Sequence, residues 1–166
     1  MQKIPFETLQ GLTFGTSYTK VTDDLLYFSR FSENERNNIH PNEYYETKML
    51  CTAGVRLEFI TDSRTLELET AAQSKTRQNR MFYAFDIVCD GKLIGQIKNF
   101  AEPPVYPYGD YPFDDQKAVF TLPAGSKRIC IYFPFTVTGK IRSLSLDDGA
   151  SLRPVTKKCK FLQYGD

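Results

Sequence analysis

Val55-Arg56-Leu57-Glu58-Phe59-Ile60-Thr61, then Asp62-Ser63-Arg64, then Thr65-Leu66-Glu67-Leu68-Glu69-Thr70 is the stretch on which the fold turns. In both halves apolar residues alternate with charged ones. A period of two belongs to a strand with one face buried and one face wet. A tight turn at Asp62-Ser63 predicts a hairpin with Leu57 opposite Leu68 and Phe59 opposite Leu66. The same register sets Arg56 against Glu69, a favourable cross-strand pair.

Strand signals recur on either side. Residues 81–89 and 92–100 flank Asp90-Gly91, a dipeptide suited to a two-residue turn because both central positions need positive φ. Apolar residues on both faces of these runs predict a central strand pair. Residues 118–122 lead into the turn cluster Pro123-Ala124-Gly125-Ser126. Residues 128–133 are almost unbroken apolar and predict a core strand. Two further strands are expected over 25–31 and over 138–146, the latter through Ile141, Leu144 and Leu146. Adjacent Tyr44 and Tyr45 would point to opposite faces of a strand. No long amphipathic helix is expected, and 32–42 reads as a polar loop with a helical turn at 33–36. Seven or more short strands with turns between them predict an all-β, two-sheet sandwich.

At 166 residues the chain suits one domain. A domain of that size buries roughly 70% of its unfolded surface, so it needs neither disulfides nor metal. The net charge of +1 gives no electrostatic case for nucleic acid. No run approaches a membrane span, and no secretory leader is visible after Met1. A cytoplasmic location is the default expectation, with secretion left open. Cys51, Cys89, Cys130 and Cys159 are widely spaced and predict buried free thiols. His40 is the sole histidine and falls in the polar loop. Neither a phosphate-binding glycine loop nor a Glu/His metal pattern appears, so no cofactor and no metal are expected. Asp23-Asp24, Asp114-Asp115 and Asp147-Asp148 read as solvated turn residues, because sequence neighbours point apart in a strand.

The last residues run Lys157-Lys158-Cys159-Lys160-Phe161-Leu162-Gln163-Tyr164-Gly165-Asp166. A short apolar strand ending in Gly-Asp resembles the first catalytic block of the GDSL or SGNH hydrolases. In that family a nucleophilic Ser follows the pair. Residues 53–63, Ile131-Tyr132-Phe133-Pro134, Asp147-Asp148-Gly149-Ala150 and 27–31 are similar to the β-sandwich domain that precedes the catalytic domain in some of these esterases, of the carbohydrate esterase family 2 kind. The resemblance covers about residues 25–166. It implies a jelly-roll-like accessory domain over 1–156. It also implies that 157–166 is a linker and the first strand of an SGNH hydrolase domain, the expected partner. Gly165 and Asp166 would then precede a nucleophile that this chain does not carry, and no residue of the chain is expected to be catalytic.

Residues 102–113 hold four of the nine prolines and three of the ten tyrosines. Proline fixes φ and removes a donor, so a stiff loop is expected there. Tyr106, Tyr108 and Tyr111 could stack on a sugar or simply plug one end of the sandwich. Arg30 could face a catalytic domain or a substrate carboxylate, or form a surface salt bridge. Lys75, Arg77 and Arg80 read as a solvated loop. Two functions compete: a non-catalytic accessory domain that helps shape an esterase's substrate cleft, and a carbohydrate-binding module acting alone.

Overall fold

The computed structural model describes residues 1–38, 43–74, 81–101 and 111–156. The amino-terminal half contains β1 (Gln2–Lys3), α1 (Phe6–Gly11), β2 (Thr13–Phe14), β3 (Tyr18–Thr22), β4 (Leu25–Ser29), α2 (Glu33–Asn38) and α3 (Glu43–Leu50). Then come β5 (Arg56–Thr61), β6 (Thr65–Gln73), β7 (Ala84–Cys89) and β8 (Lys92–Lys98). The last strands are β9 (Gln116–Thr121), β10 (Lys127–Tyr132), β11 (Thr138–Leu146) and β12 (Leu152–Pro154). No helix among the described residues is long and apolar enough to cross a membrane.

Two antiparallel sheets pack face to face. The first runs β3-β4-β11-β6-β9 with β1 pairing on β11, and the second runs β12-β5-β10-β7-β8 with β2 pairing on β5. From β4 to β11 the chain passes repeatedly from one sheet to the other. The fold is therefore the expected all-β two-sheet sandwich. Its interior is filled from both sides. Leu26, Phe28, Leu66, Leu68, Ile141 and Leu144 come from the first sheet, and Leu57, Phe59, Phe85, Ile87, Ile129 and Ile131 from the second. Phe133 sets its ring edge-on to Phe28 and Phe85, at 4.6 and 5.2 Å between centroids.

The hairpin expected between residues 56–61 and 65–70 does not form. β5 pairs with β10, β12 and β2, whereas β6 pairs with β11 and β9. Leu57, Phe59, Leu66 and Leu68 all point inward, but across the core from one another and not side by side. Alternation fixes which face of a strand is buried and leaves its neighbour open. Arg56 accordingly sits by Glu58, and Glu69 by Arg142. Residues 62–64 make the crossing, and side chains from the far end of the chain satisfy its backbone. Asp147 Oδ2 accepts from the N–H groups of Arg64 and Thr65 at 2.6 and 3.0 Å. The Lys127 ammonium donates to the Ser63 carbonyl at 2.5 Å. Those backbone donors hold the Asp147 carboxyl below the usual range, Arg64 foremost.

The Asp90-Gly91 hairpin is present. Cys89 lies opposite Lys92, with Asp90 at φ 46 and Gly91 at φ 81. It is not central, because β8 is the edge of its sheet and leaves Leu93 and Ile94 exposed. In β11 a strict period of two cannot bury both Ile141 and Leu144. The register shifts between Ile141 and Ser143, so a bulge at Arg142 brings Leu144 and Leu146 back to the core face.

Residues 44–45 are helical and not extended, with Tyr45 exposed on α3. The turn expected at 33–36 continues to Asn38 as α2. Its start is a capping box: Glu35 N–H donates to Ser32 Oγ at 3.2 Å, and Ser32 N–H donates to Glu35 Oε2 at 2.6 Å. His40, Lys75, Arg77, Arg80 and Cys159 lie outside the described residues. Cys51, Cys89 and Cys130 are buried free thiols.

Candidate functional site

Alternation along the strands leaves one set of side chains on the outer face of each sheet. On the first sheet, Tyr18 and Lys20 of β3, Tyr27 of β4, Gln73 of β6 and Thr138 of β11 lie beside Arg36 of α2. Together they line an open cleft of about 380 Å³, within the size range of small-molecule sites. Arg36 reaches over the Tyr18 ring at 5.6 Å and donates to the Tyr18 hydroxyl at 2.6 Å. Lys140 of β11 is 5% exposed and contacts two of the lining residues. Its ammonium donates to Gln73 Oε1 at 2.5 Å and to the Tyr27 hydroxyl at 3.3 Å, and sits 4.5 Å from the Tyr27 ring centroid.

A smaller hollow of about 160 Å³ lies on the second sheet's side. Phe82, Phe100, Phe133 and Phe135 line it with Asp86 and Gln96. Tyr111 is half-buried beside it, 5.9 Å from the Phe82 ring. Asn99 Nδ2 ties the adjoining chain down by donating to the Pro112 carbonyl at 2.9 Å. Tyr106 and Tyr108 lie outside the described residues, as do Gly165 and Asp166.

Arg30 does not reach the cleft's floor. Its Nε donates to the Cys51 carbonyl at 2.8 Å and its Nη2 to the Lys48 carbonyl at 2.7 Å. A guanidinium there satisfies carbonyls left over at the end of α3 and complements the helix dipole. Burial lowers its pKa. Arg30 and Tyr111 are therefore not brought into one site with the cleft residues.

Little in these groups is poised for covalent chemistry. Burial pushes the thiols of Cys51, Cys89 and Cys130 up, which keeps them protonated. The Tyr83 hydroxyl is pushed up to about 12 by burial, with Asp114 and Asp115 adding to it. Among the described residues no group of three or more His, Cys, Asp or Glu could hold a metal ion.

The cleft residues come from β3, β4, α2, β6 and β11, and no sequence motif joins them. The one signal available was the outward phase of each strand: Lys140 precedes core-facing Ile141, and Tyr27 falls between Leu26 and Phe28.

These features define a two-sheet sandwich domain with an open cleft on one outer face. Two solved structures share the fold. The salicylyl-acyltransferase SsfX3 from a tetracycline biosynthetic pathway superposes with a TM-score of 0.67 at 20% identity, over 88% of this chain and 39% of that one. A Bacteroides ovatus protein described as a GDSL-like lipase superposes with a TM-score of 0.58 at 16% identity, over 96% of this chain and 44% of that one. This chain thus spans less than half the length of either neighbour. No family model matches the sequence, and no curated protein matches it in sequence.

Proposed function

We propose that this chain is a non-catalytic accessory domain of an SGNH or GDSL-type serine esterase acting on carbohydrate esters. In that role it packs on the catalytic domain and helps shape the substrate cleft. The observation that carries the reading is the coverage. Nearly all of this chain has a counterpart in two larger proteins, one named an acyltransferase and one a GDSL-like lipase, of which it spans only 39 and 44%. The Gly165-Asp166 pair and the sequence before it support the same reading. The serine, the oxyanion donors and the base that such hydrolysis needs would come from the adjoining domain. The test is the coding sequence after Asp166. The expected result is a Ser codon next and an Asp-x-x-His block much later, and any other residue in the Ser position would remove the reading.

A stand-alone carbohydrate-binding module is the second reading. The open cleft beside Tyr18 and Tyr27 favours it.

A further inference from the structure

Lys140 is nearly buried, and a buried charge is normally paired with an opposite one. Among the described residues its partners are all neutral: the Gln73 amide oxygen, the Tyr27 hydroxyl and the Tyr27 ring. The neighbours add to the imbalance. Lys20 and Arg36 line the cleft, and among the described residues no Asp or Glu does so. The Arg36 Nε is buried without a hydrogen-bond partner. Cations without counter-charges, gathered around an open hollow with low-dielectric walls, make a positive potential that draws in an anion. Part of the remaining lining is suited to hydroxyls, beside the apolar Phe28 and Leu50. Gln73, Thr22, Ser29 and Thr138 supply small neutral hydrogen-bonding groups, and about 380 Å³ accommodates one or two sugar rings.

We infer that the cleft on the outer face of the first sheet binds a monosaccharide-sized, polyhydroxylated ligand through a single oxyanion seated beside Arg36 and Lys20, with the Lys140 ammonium behind Gln73 and Tyr27 as a further counter-charge. The oxyanion is a carboxylate or a phosphate, and the hydroxyls meet Gln73 and the threonines. This inference rests on the carbohydrate-binding reading of the cleft and not on the esterase reading, since calorimetry reads the cleft whether or not an esterase domain adjoins.

The experiment is calorimetric titration of the 166-residue chain with glucuronate, glucose 6-phosphate and glucose. At least one anion is expected to bind at low salt and to weaken as salt rises, with glucose at least tenfold weaker. Lys140→Met is expected to weaken the anion at least tenfold while leaving the thermal midpoint unchanged or raised, because an uncompensated buried charge has been removed. A lysine with a merely structural role would lower that midpoint. Should Lys140→Met fail to fold, Arg36→Gln, on the short surface helix, is read in its place with the same expected loss. Glucuronate alone binding assigns a carboxylate, and glucose 6-phosphate alone assigns a phosphate. Equal binding of glucose, no binding of either anion, or undiminished anion binding in both variants overturns the inference.

Discussion

Phe59→Ala is expected to lower the unfolding free energy by about 3–5 kcal/mol, the usual cost of truncating a buried phenylalanine. Phe59 is fully buried on β5 and belongs to the cluster filled by both sheets. Removing its ring leaves a cavity between β5 and the facing strands, and a close-packed interior collapses into it only in part. In a domain of this size the thermal midpoint should fall by about 6–20 °C. Phe135, which is 63% exposed, is the control. Its alanine variant should stay within about 0.5 kcal/mol of the parent. Chemical denaturation of both variants gives the comparison, and a loss below about 1 kcal/mol for Phe59→Ala would contradict the assignment of β5 to the inner face.

The second large effect concerns a charge. Glu58 is fully buried on the side of β5 away from the core, where Arg56 and Arg128 engage its carboxylate. Phe14 lies under the Arg56 guanidinium at 5.1 Å, and the Glu58 N–H donates to the Leu12 carbonyl. Removing both arginines takes both of these cations from a fully buried carboxylate. The double variant Arg56→Ala/Arg128→Ala should therefore lose about 3–5 kcal/mol, as when other buried ion pairs are broken from one side. Replacing all three groups with Met, Leu and Met should restore most of that, because a buried ion pair does little better than well-packed apolar groups. A double variant as stable as the parent, or a triple variant no better than the double, would show that the arginines do not compensate Glu58.

Glu58 also shows where the sequence was legible and where it was not. Alternation in residues 55–70 correctly marked two strands and their inward apolar residues, but the face of β5 expected to be wet buries Glu58 fully, because the arginines on either side cover it. Alternation could not supply the strands' partners, because a hairpin and a sheet-to-sheet crossing bury the same face. The difference lies in long-range groups, above all Asp147 and Lys127, which serve the crossing from more than sixty residues away. Asp90-Gly91 was legible because its turn needs particular backbone angles, and those are local. Ile141, Leu144 and Leu146 contained a sign of the bulge, since 141 and 144 are out of phase in a regular strand. Ser32-x-x-Glu35 was a readable capping box that marks the start of α2. α3 offered no such signal, as its polar residues show no clear apolar stripe.

The candidate site was less legible than the fold. Tyr111 and Arg30 stood out as types, an aromatic in a proline-rich loop and a charge after an apolar run. Arg30 instead holds the end of α3. Lys20, Tyr27, Gln73 and Lys140 looked like ordinary outward strand residues, and only the pairing of β4 and β6 with β11 gathers them. A cleft assembled from five elements leaves no spacing to read.

The proposed role has this domain performing no hydrolysis itself and belonging to a serine hydrolase. The direct measurement is turnover of an aryl acetate and labelling by a fluorophosphonate, made on this chain alone and on the same chain joined to its adjoining polypeptide. The account predicts the buffer rate and no labelled serine for the chain alone, with turnover and a labelled serine beyond Asp166 in the longer protein. Turnover with a labelled serine inside residues 1–166, or a longer protein without any reactive serine, would contradict it.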